Sequence, residues 1–213
     1  MRLRAHALAG LGVCRAATDV SEARRLLAQA VAAFRGQRDH WGLTFALSAG
    51  GLLAVRDGDP AAATAMHTEA LSVAASIDNA FMRAQLLDLL GMDSLASGDI
   101  PGARQWLAAS VEIHDSLLDQ EGSSYCLSGL AAIALALGQP GAAAQLLGAA
   151  SHARSVAGVA IWPAMQPLSD ALDAAVASAL PETQLAEFTA AGARMRLPAA
   201  LAYGLDITAD LTA

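Results

Sequence analysis

The chain has 213 residues, of which 55% are hydrophobic, 15% charged and 4% aromatic, and its net charge is −7. That length holds one sizeable domain or a run of short repeats. Much of the apolar share is alanine, the strongest helix former, which argues against a sheet-rich fold, and the acidic balance argues against generic affinity for DNA.

Every basic residue is an arginine. A P-loop lysine, a Schiff-base lysine and a catalytic lysine are therefore excluded. Together with the single asparagine, Asn79, this composition reads as the codon bias of a GC-rich bacterial genome. The charge is uneven: residues 1–41 hold seven arginines against Asp19, Glu22 and Asp39, a net +4, and residues 42–213 hold six arginines against seventeen acids, a net −11. Such a basic end is either a solvated face or a docking site for a neighbouring domain or partner.

The first apolar stretch contains His6 and Arg15 and runs straight into a series of repeats, unlike a secretory leader, so a cytoplasmic protein is expected. Cys14 and Cys126 have no metal or redox spacing and are expected to be small core residues. Punctuation recurs along the chain at Thr18-Asp19-Val20, Gly58-Asp59-Pro60, Gly98-Asp99-Ile100-Pro101 and Gly138-Gln139-Pro140, a constant interval of 40 residues. Gly58, Gly98 and Gly138 suit the left-handed residue that ends a helix. Asp19, Asp59 and Asp99 suit the N-cap of the next one, with Glu22 at capping-box spacing from Asp19. Pro60 and Pro140 suit the first helical position, where a missing N–H costs nothing.

The helices between these marks keep one register. In each first helix (helix A) the columns read Ala7, Leu47, Leu87, Leu127; Gly10, Gly50, Leu90, Leu130; Leu11, Gly51, Gly91, Ala131; and Cys14, Ala54, Ser94, Ala134. In each second helix (helix B) they read Ala23, Ala63, Ala103, Ala143; Leu27, His67, Leu107, Leu147; and Ala30, Ala70, Ser110, Ala150. Positions at i, i+3, i+4 and i+7 form one apolar helix face. The period leaves extra length between one helix B and the next helix A, assigned to Phe34–Leu43 and Ser76–Asn79. Trp41, Trp106 and Trp162 are expected to be packing anchors at the junctions. Residues 122–153 carry no charge, but Gly138-Gln139-Pro140-Gly141 cuts them into pieces shorter than the roughly 20 residues a membrane helix needs.

The fold expected is all-α, an α-α superhelix of about four helix pairs over residues 1–160, closed by C-terminal capping helices over 161–213. With a leucine-glycine in helix A, a Gly-Asp turn and Ala-x6-Ala in helix B, the pair resembles the tetratricopeptide repeat. Its longer form resembles the repeats of maltose-activator and LuxR-type bacterial regulators that carry a signal-transduction ATPase. The segment Leu146-Leu147-Gly148-Ala149-Ala150-Ser151-His152-Ala153-Arg154 looks like the last repeat of such proteins. So does the tail, with Pro163, Pro167 and Pro181-Glu182 opening helices and Gly192-Ala193-Arg194-Met195 and Ala200–Leu205 closing it. The chain departs from them in having no P-loop motif and no recognisable helix-turn-helix. Met1 falls inside the first repeat, which reads as a fragment of a larger regulator or a free-standing remnant.

No constellation for chemistry emerges. The five histidines, at 6, 40, 67, 114 and 152, have no metal-like spacing, and His67 falls in a packing column as a satisfied core histidine. Asp115 and Asp119 read as solvated surface, and no serine has a base nearby. No enzyme, no metal and no cofactor are expected. What remains is binding. In a tetratricopeptide-like array the first helices line the concave surface, which makes candidates of Phe45, Ser48, Leu52 and Arg56, then Gln85, Asp88, Met92 and Leu95, then Tyr125, Ser128 and Ala132. Apolar anchors with a few orienting polar groups suit a peptide or protein segment, unless the C-terminal helices fold back over them. A small-ligand sensor and a self-association scaffold, with a homodimer through an exposed N-terminal repeat, are the alternatives; direct nucleic-acid or membrane contact is not expected.

Overall fold

The computed structural model describes residues 2–163 and 165–209. The fold is all-α, with eleven helices and no strand among the described residues. The helices fall into two compact units, Met1–Ser97 and Gly98–Ala213. The first holds α1 (Arg2–Arg15), α2 (Val20–Gln37), α3 (His40–Arg56), α4 (Pro60–Ala74) and α5 (Ala80–Ala96). The second holds α6 (Ile100–Ser116), α7 (Gln120–Ala136), α8 (Pro140–Ala157), α9 (Gln166–Ser178), α10 (Glu182–Ala193) and α11 (Leu197–Ile207). No described helix is long and apolar enough to cross a membrane.

The expected helix stops and starts are in place. Gly58, Gly98 and Gly138 have φ of 74°, 80° and 72°, values open to glycine because it has no Cβ to clash. Asp19, Asp59 and Asp99 accept the backbone N–H of Glu22, Ala62 and Gly102 at 2.9–3.0 Å. The capping box is only half made, since the Glu22 carboxylate turns to Arg25 at 2.7–2.8 Å and not to the Asp19 N–H.

The punctuation in fact recurs twice as often as the glycines suggest. Left-handed residues close helices at Arg38, Asp78 and Leu118 as well, and Gly158 continues the series. Asp39, Asn79 and Asp119 cap the next helices, accepting the N–H of Gly42, Met82 and Gly122 at 2.9–3.1 Å. One helix and one turn thus take 20 residues through most of the array, and the 40-residue repeat is two such halves. This corrects the long junctions assigned to Phe34–Leu43 and Ser76–Asn79. The extra length lies in the helices, 17 residues each in α3, α5, α6 and α7. Asp119 is accordingly a cap in contact with His114 at 2.8 Å, and not free surface.

In the first unit, small residues let the helices nest. Ala5, Ala9, Ala30, Phe34, Leu43, Ala46, Leu47, Ala70, Ala74 and Leu86 form one buried cluster. The Phe34 ring lies where a side chain on Gly42 would be, the His67 ring does the same over Gly51, and Leu27 over Gly12. The helix B columns are buried at Ala23, Leu27, Ala30, Ala63, His67 and Ala70. The helix A columns hold in α3, but in α1 they fail. Ala7, Gly10, Leu11 and Cys14 are exposed, and the buried stripe is Ala5, Ala9 and Gly12. The buried stripe of α1 is thus offset from the 40-residue register, although its Asp19 cap keeps that register. Cys14 is therefore on the surface, whereas Cys126 is buried as expected.

In the second unit, α7 and α8 pair closely and α10 crosses α8 with its backbone almost in contact. A Cβ on Gly192 would strike the Gln145 carbonyl, and one on Gly148 the Thr189 carbonyl. α11 lies against α7 and α8, with Gly204 beside Leu130 and Leu146. The Arg104 guanidinium donates to the Leu205 carbonyl at 3.2 Å near the end of α11.

Candidate binding surface

Three stripes run along α3. One faces α2 through Gly42, Ala49 and Leu53, and another faces α4 through Gly50 and Gly51. The third carries Trp41, Phe45, Ser48, Leu52 and Arg56, the first and last least covered and Leu52 most. Its outer end is built from rings. Trp41 and Phe45, one helical turn apart, stack in parallel with centroids 5.9 Å apart, and His6 of α1 stacks on the other side of Trp41 at 6.2 Å. His6 also meets the Phe34 ring edge-on at 4.9 Å, so the ladder is anchored to a side chain that is fully buried. Trp41 keeps half of its surface, 50%, in solvent. The junction-anchor role expected of it does not hold: it opens α3 and packs sideways on rings, leaving a face to water.

The expected surface residues divide by depth. Phe45 and Ser48 are half-buried, with the Ser48 hydroxyl donating to the Thr44 carbonyl at 2.9 Å. Leu52 is buried at 9% exposure, so it is committed to packing and supplies no free contact surface. Arg56 is exposed, and its guanidinium donates to the Ala16 carbonyl. On α5, Gln85 is exposed, Met92 and Leu95 are half-buried, and Asp88 is buried at 7%, which removes it too from the free surface. In the second unit Tyr125, Ser128 and Ala132 are half-buried. The Ser128 hydroxyl donates to the Ser124 carbonyl at 3.1 Å. The Tyr125 hydroxyl accepts the Trp162 backbone N–H at 2.9 Å, so the segment before α9 does fold back over this end of α7. Trp162 remains partly exposed and Trp106 is half-buried.

Near Tyr125 lies a perturbed charge of the second unit. Burial pushes the Arg154 guanidinium below its ordinary value, while the nearby Tyr125 and Asp173 act to raise it. Partial burial pushes the Asp173 carboxyl up, opposed by Arg154 and helped by Asp170. Burial likewise raises the Tyr203 phenol. In the first unit the hydrogen bonds from Arg25 hold Glu22 below the usual carboxylate range.

His67 and Asp93 form a fully buried polar pair, exposed by 0% and 1%. The ring Nδ1 lies 2.7 Å from the Asp93 carboxylate, and Nε2 faces the Ser48 carbonyl, an acceptor only, at 3.2 Å. His67 is thus a satisfied core histidine, as its column suggests. The other Asp93 oxygen has no hydrogen-bond partner. Trp41 and His6 escape a sequence-based search for surface residues because a ladder between two helices has no spacing signature within one. No protein-family model matches the chain, and no curated protein or solved structure matches it.

Proposed function

We propose that this chain is a non-catalytic protein-interaction or sensor module, of the kind carried by bacterial signalling ATPases and LuxR-type transcriptional regulators. It holds a peptide or protein segment against the helix A faces of its first unit. The observation that carries the reading is the exposed ring ladder of His6, Trp41 and Phe45, which continues along α3 to Ser48 and Arg56. Gln85 and Met92 stand on the neighbouring helix A. Rigid aromatic anchors beside orienting polar groups are what interaction hot spots are made of. The mechanism is passive: a surface already formed captures a segment, and occupancy is passed on to whatever the repeats are joined to.

Peptides selected on the full chain from a displayed library test the reading. Their affinities are measured by fluorescence anisotropy for the parent protein, Trp41→Ala, Arg56→Glu and Met92→Ala, with Arg25→Ala, an exposed residue of α2 outside the ladder, as a control. Loss of a hot-spot tryptophan is expected to weaken binding by about 2 kcal/mol, roughly thirtyfold. Selected peptides that bind all three variants as tightly as the parent remove this face from consideration. A second reading, a small-ligand sensor, draws on the half-buried Arg154 beside Tyr125 and Asp173. Calorimetric titration with small carboxylates that Arg154→Gln does not alter counts against it.

A further inference from the structure

The turn between α6 and α7 directs two leucines to water. Leu118 is left-handed at φ 53° and 85% exposed, and Leu117 before it is exposed as well. The same position of the 40-residue repeat holds Arg38, Asp78 and Gly158, all left-handed and all exposed. Arginine and aspartate suit solvent, and glycine suits the backbone. Leucine suits neither: its hydrocarbon gains nothing in water, and its Cβ opposes a left-handed conformation.

Other exposed apolar side chains stand at the same end of the second unit. α8 returns antiparallel to α7, so its last turn, with Val156 61% exposed, ends beside the first turn of α7. The chain then crosses α7, where the Trp162 N–H donates to the Tyr125 hydroxyl, and about 9 Å of helix separates Tyr125 from the Asp119 cap. Trp162 keeps part of its surface in solvent, and Leu168, in the first turn of α9, is exposed. Exposed apolar residues are ordinary one at a time, whereas a group of five at one end of a unit marks an interaction site.

Charge and backbone select the occupant. Residues 112–173 hold Glu112, Asp115, Asp119, Glu121, Asp170 and Asp173 against Arg154 alone, and Arg154 is half-buried. Asp115 and Glu121 stand on either side of Leu117 and Leu118, and Asp170 and Asp173 follow Leu168 on α9; all four are exposed. Such a rim attracts cations and repels an anionic surface, and the same face of a second copy would set acid against acid. No strand is present among the described residues to pair with an extended segment, so the occupant has to satisfy its own backbone, as a helix does. We propose that this end of the second unit docks a basic amphipathic α-helix of a partner protein, whose apolar face covers Leu117, Leu118, Val156, Trp162 and Leu168.

Three synthetic peptides of about 18 residues are titrated against the full chain by fluorescence anisotropy at about 0.15 M salt. One has a leucine face and lysines elsewhere, one the same face with glutamates, and one the lysine composition scrambled so that no apolar face forms. The lysine amphipathic peptide is expected to bind at least about tenfold tighter than either of the others, and Leu118→Gly to weaken it about tenfold. Leu118→Gly removes the contact while relieving the backbone, so its urea midpoint stays at or above that of the parent, which separates lost binding from lost folding. Trp41→Ala, on the first unit, leaves the binding unchanged. Equal binding of the scrambled or the glutamate peptide, no binding up to ~1 mM, binding that survives Leu118→Gly, or binding lost in Trp41→Ala overturns the proposal. So does a self-association in sedimentation that Leu118→Gly abolishes, since the occupant would then be a second copy.

Discussion

Three successive helix B to helix A junctions carry equivalent positions at intervals of 40 residues. They hold Leu27 and Leu53 in one apolar cluster, then His67 and Asp93, then Leu107 and Ile133, both buried. The middle junction replaces hydrocarbon with a fully buried polar pair, and its contribution is measurable by a double-mutant cycle. Replacing His67 alone with Leu leaves the Asp93 carboxylate in the core with neither oxygen partnered, because the other oxygen already lacks a hydrogen bond. Stranding a buried charge costs about 3–5 kcal/mol. Leucine fits the space, since Leu27 already sits over Gly12 much as His67 sits over Gly51, so no steric cost is added. The double variant His67→Leu/Asp93→Leu restores the pattern of the neighbouring junctions and is expected to be neutral to about 4 kcal/mol more stable than the parent. At about 2–4 °C per kcal/mol for a chain of this size, His67→Leu melts roughly 6–20 °C lower and the double variant at or above the parent. Thermal and urea unfolding at neutral pH read both. If each single substitution costs less than ~1 kcal/mol and the two simply add, the pair is not coupled and the buried-charge reasoning is wrong.

Further substitutions probe the punctuation and the close crossings. Leu118 is left-handed at φ 53° and 85% exposed, so Leu118→Gly relieves backbone strain without losing packing and should raise stability by about 1 kcal/mol in urea unfolding. Gln139 makes no side-chain cap where Asp19, Asp59 and Asp99 do, so Gln139→Asp is expected to gain, and Asp99→Ala to lose, about 1 kcal/mol in the same assay. Gly192→Ala drives a methyl into the Gln145 carbonyl across the α8–α10 crossing, and backbone cannot step aside, so a loss of about 1–3 kcal/mol is expected. Asp173 is raised in the fold by burial. Its contribution is therefore present below its unfolded pKa and lost as pH rises through the folded one, and Asp173→Asn should flatten that acid-side slope in a pH series of melting temperatures.

How much of the fold is legible in the sequence depends on which features are local. A glycine in a left-handed turn, an aspartate at an N-cap and a proline in the first turn each act within four residues; all three are readable at Gly58 and Gly98, and the glycine and proline at Gly138. The half-period is hidden because its turns use Arg38 and Leu118, which have no left-handed preference, and Asp78, whose preference is far weaker than that of glycine. Those conformations are held by the flanking helices, and without them the caps Asp39, Asn79 and Asp119 pass for junction or surface residues. The offset of α1 is hidden for a related reason: the Asp19 cap stays in the 40-residue register while the buried stripe Ala5, Ala9 and Gly12 does not.

The candidate surface is half legible by the same logic. Registration on a repeat predicts which side of a helix faces outward, and it places Phe45, Arg56, Gln85 and Met92 on the outward side. It does not predict depth, which depends on neighbours in other helices, so Leu52 and Asp88 fall on the expected surface although they are buried. Nor does it predict contacts between helices, such as His6 on Trp41 or Trp162 on Tyr125. In a chain whose stability comes from repeated apolar columns, the informative positions are those where a column is broken. His67 and Asp93 break two adjoining columns with groups that satisfy each other, which is an internal specification. The ring ladder breaks the pattern toward solvent instead. Burying a half-exposed tryptophan contributes about 1–2 kcal/mol, and the proposed contact with a peptide segment would draw on that stabilisation.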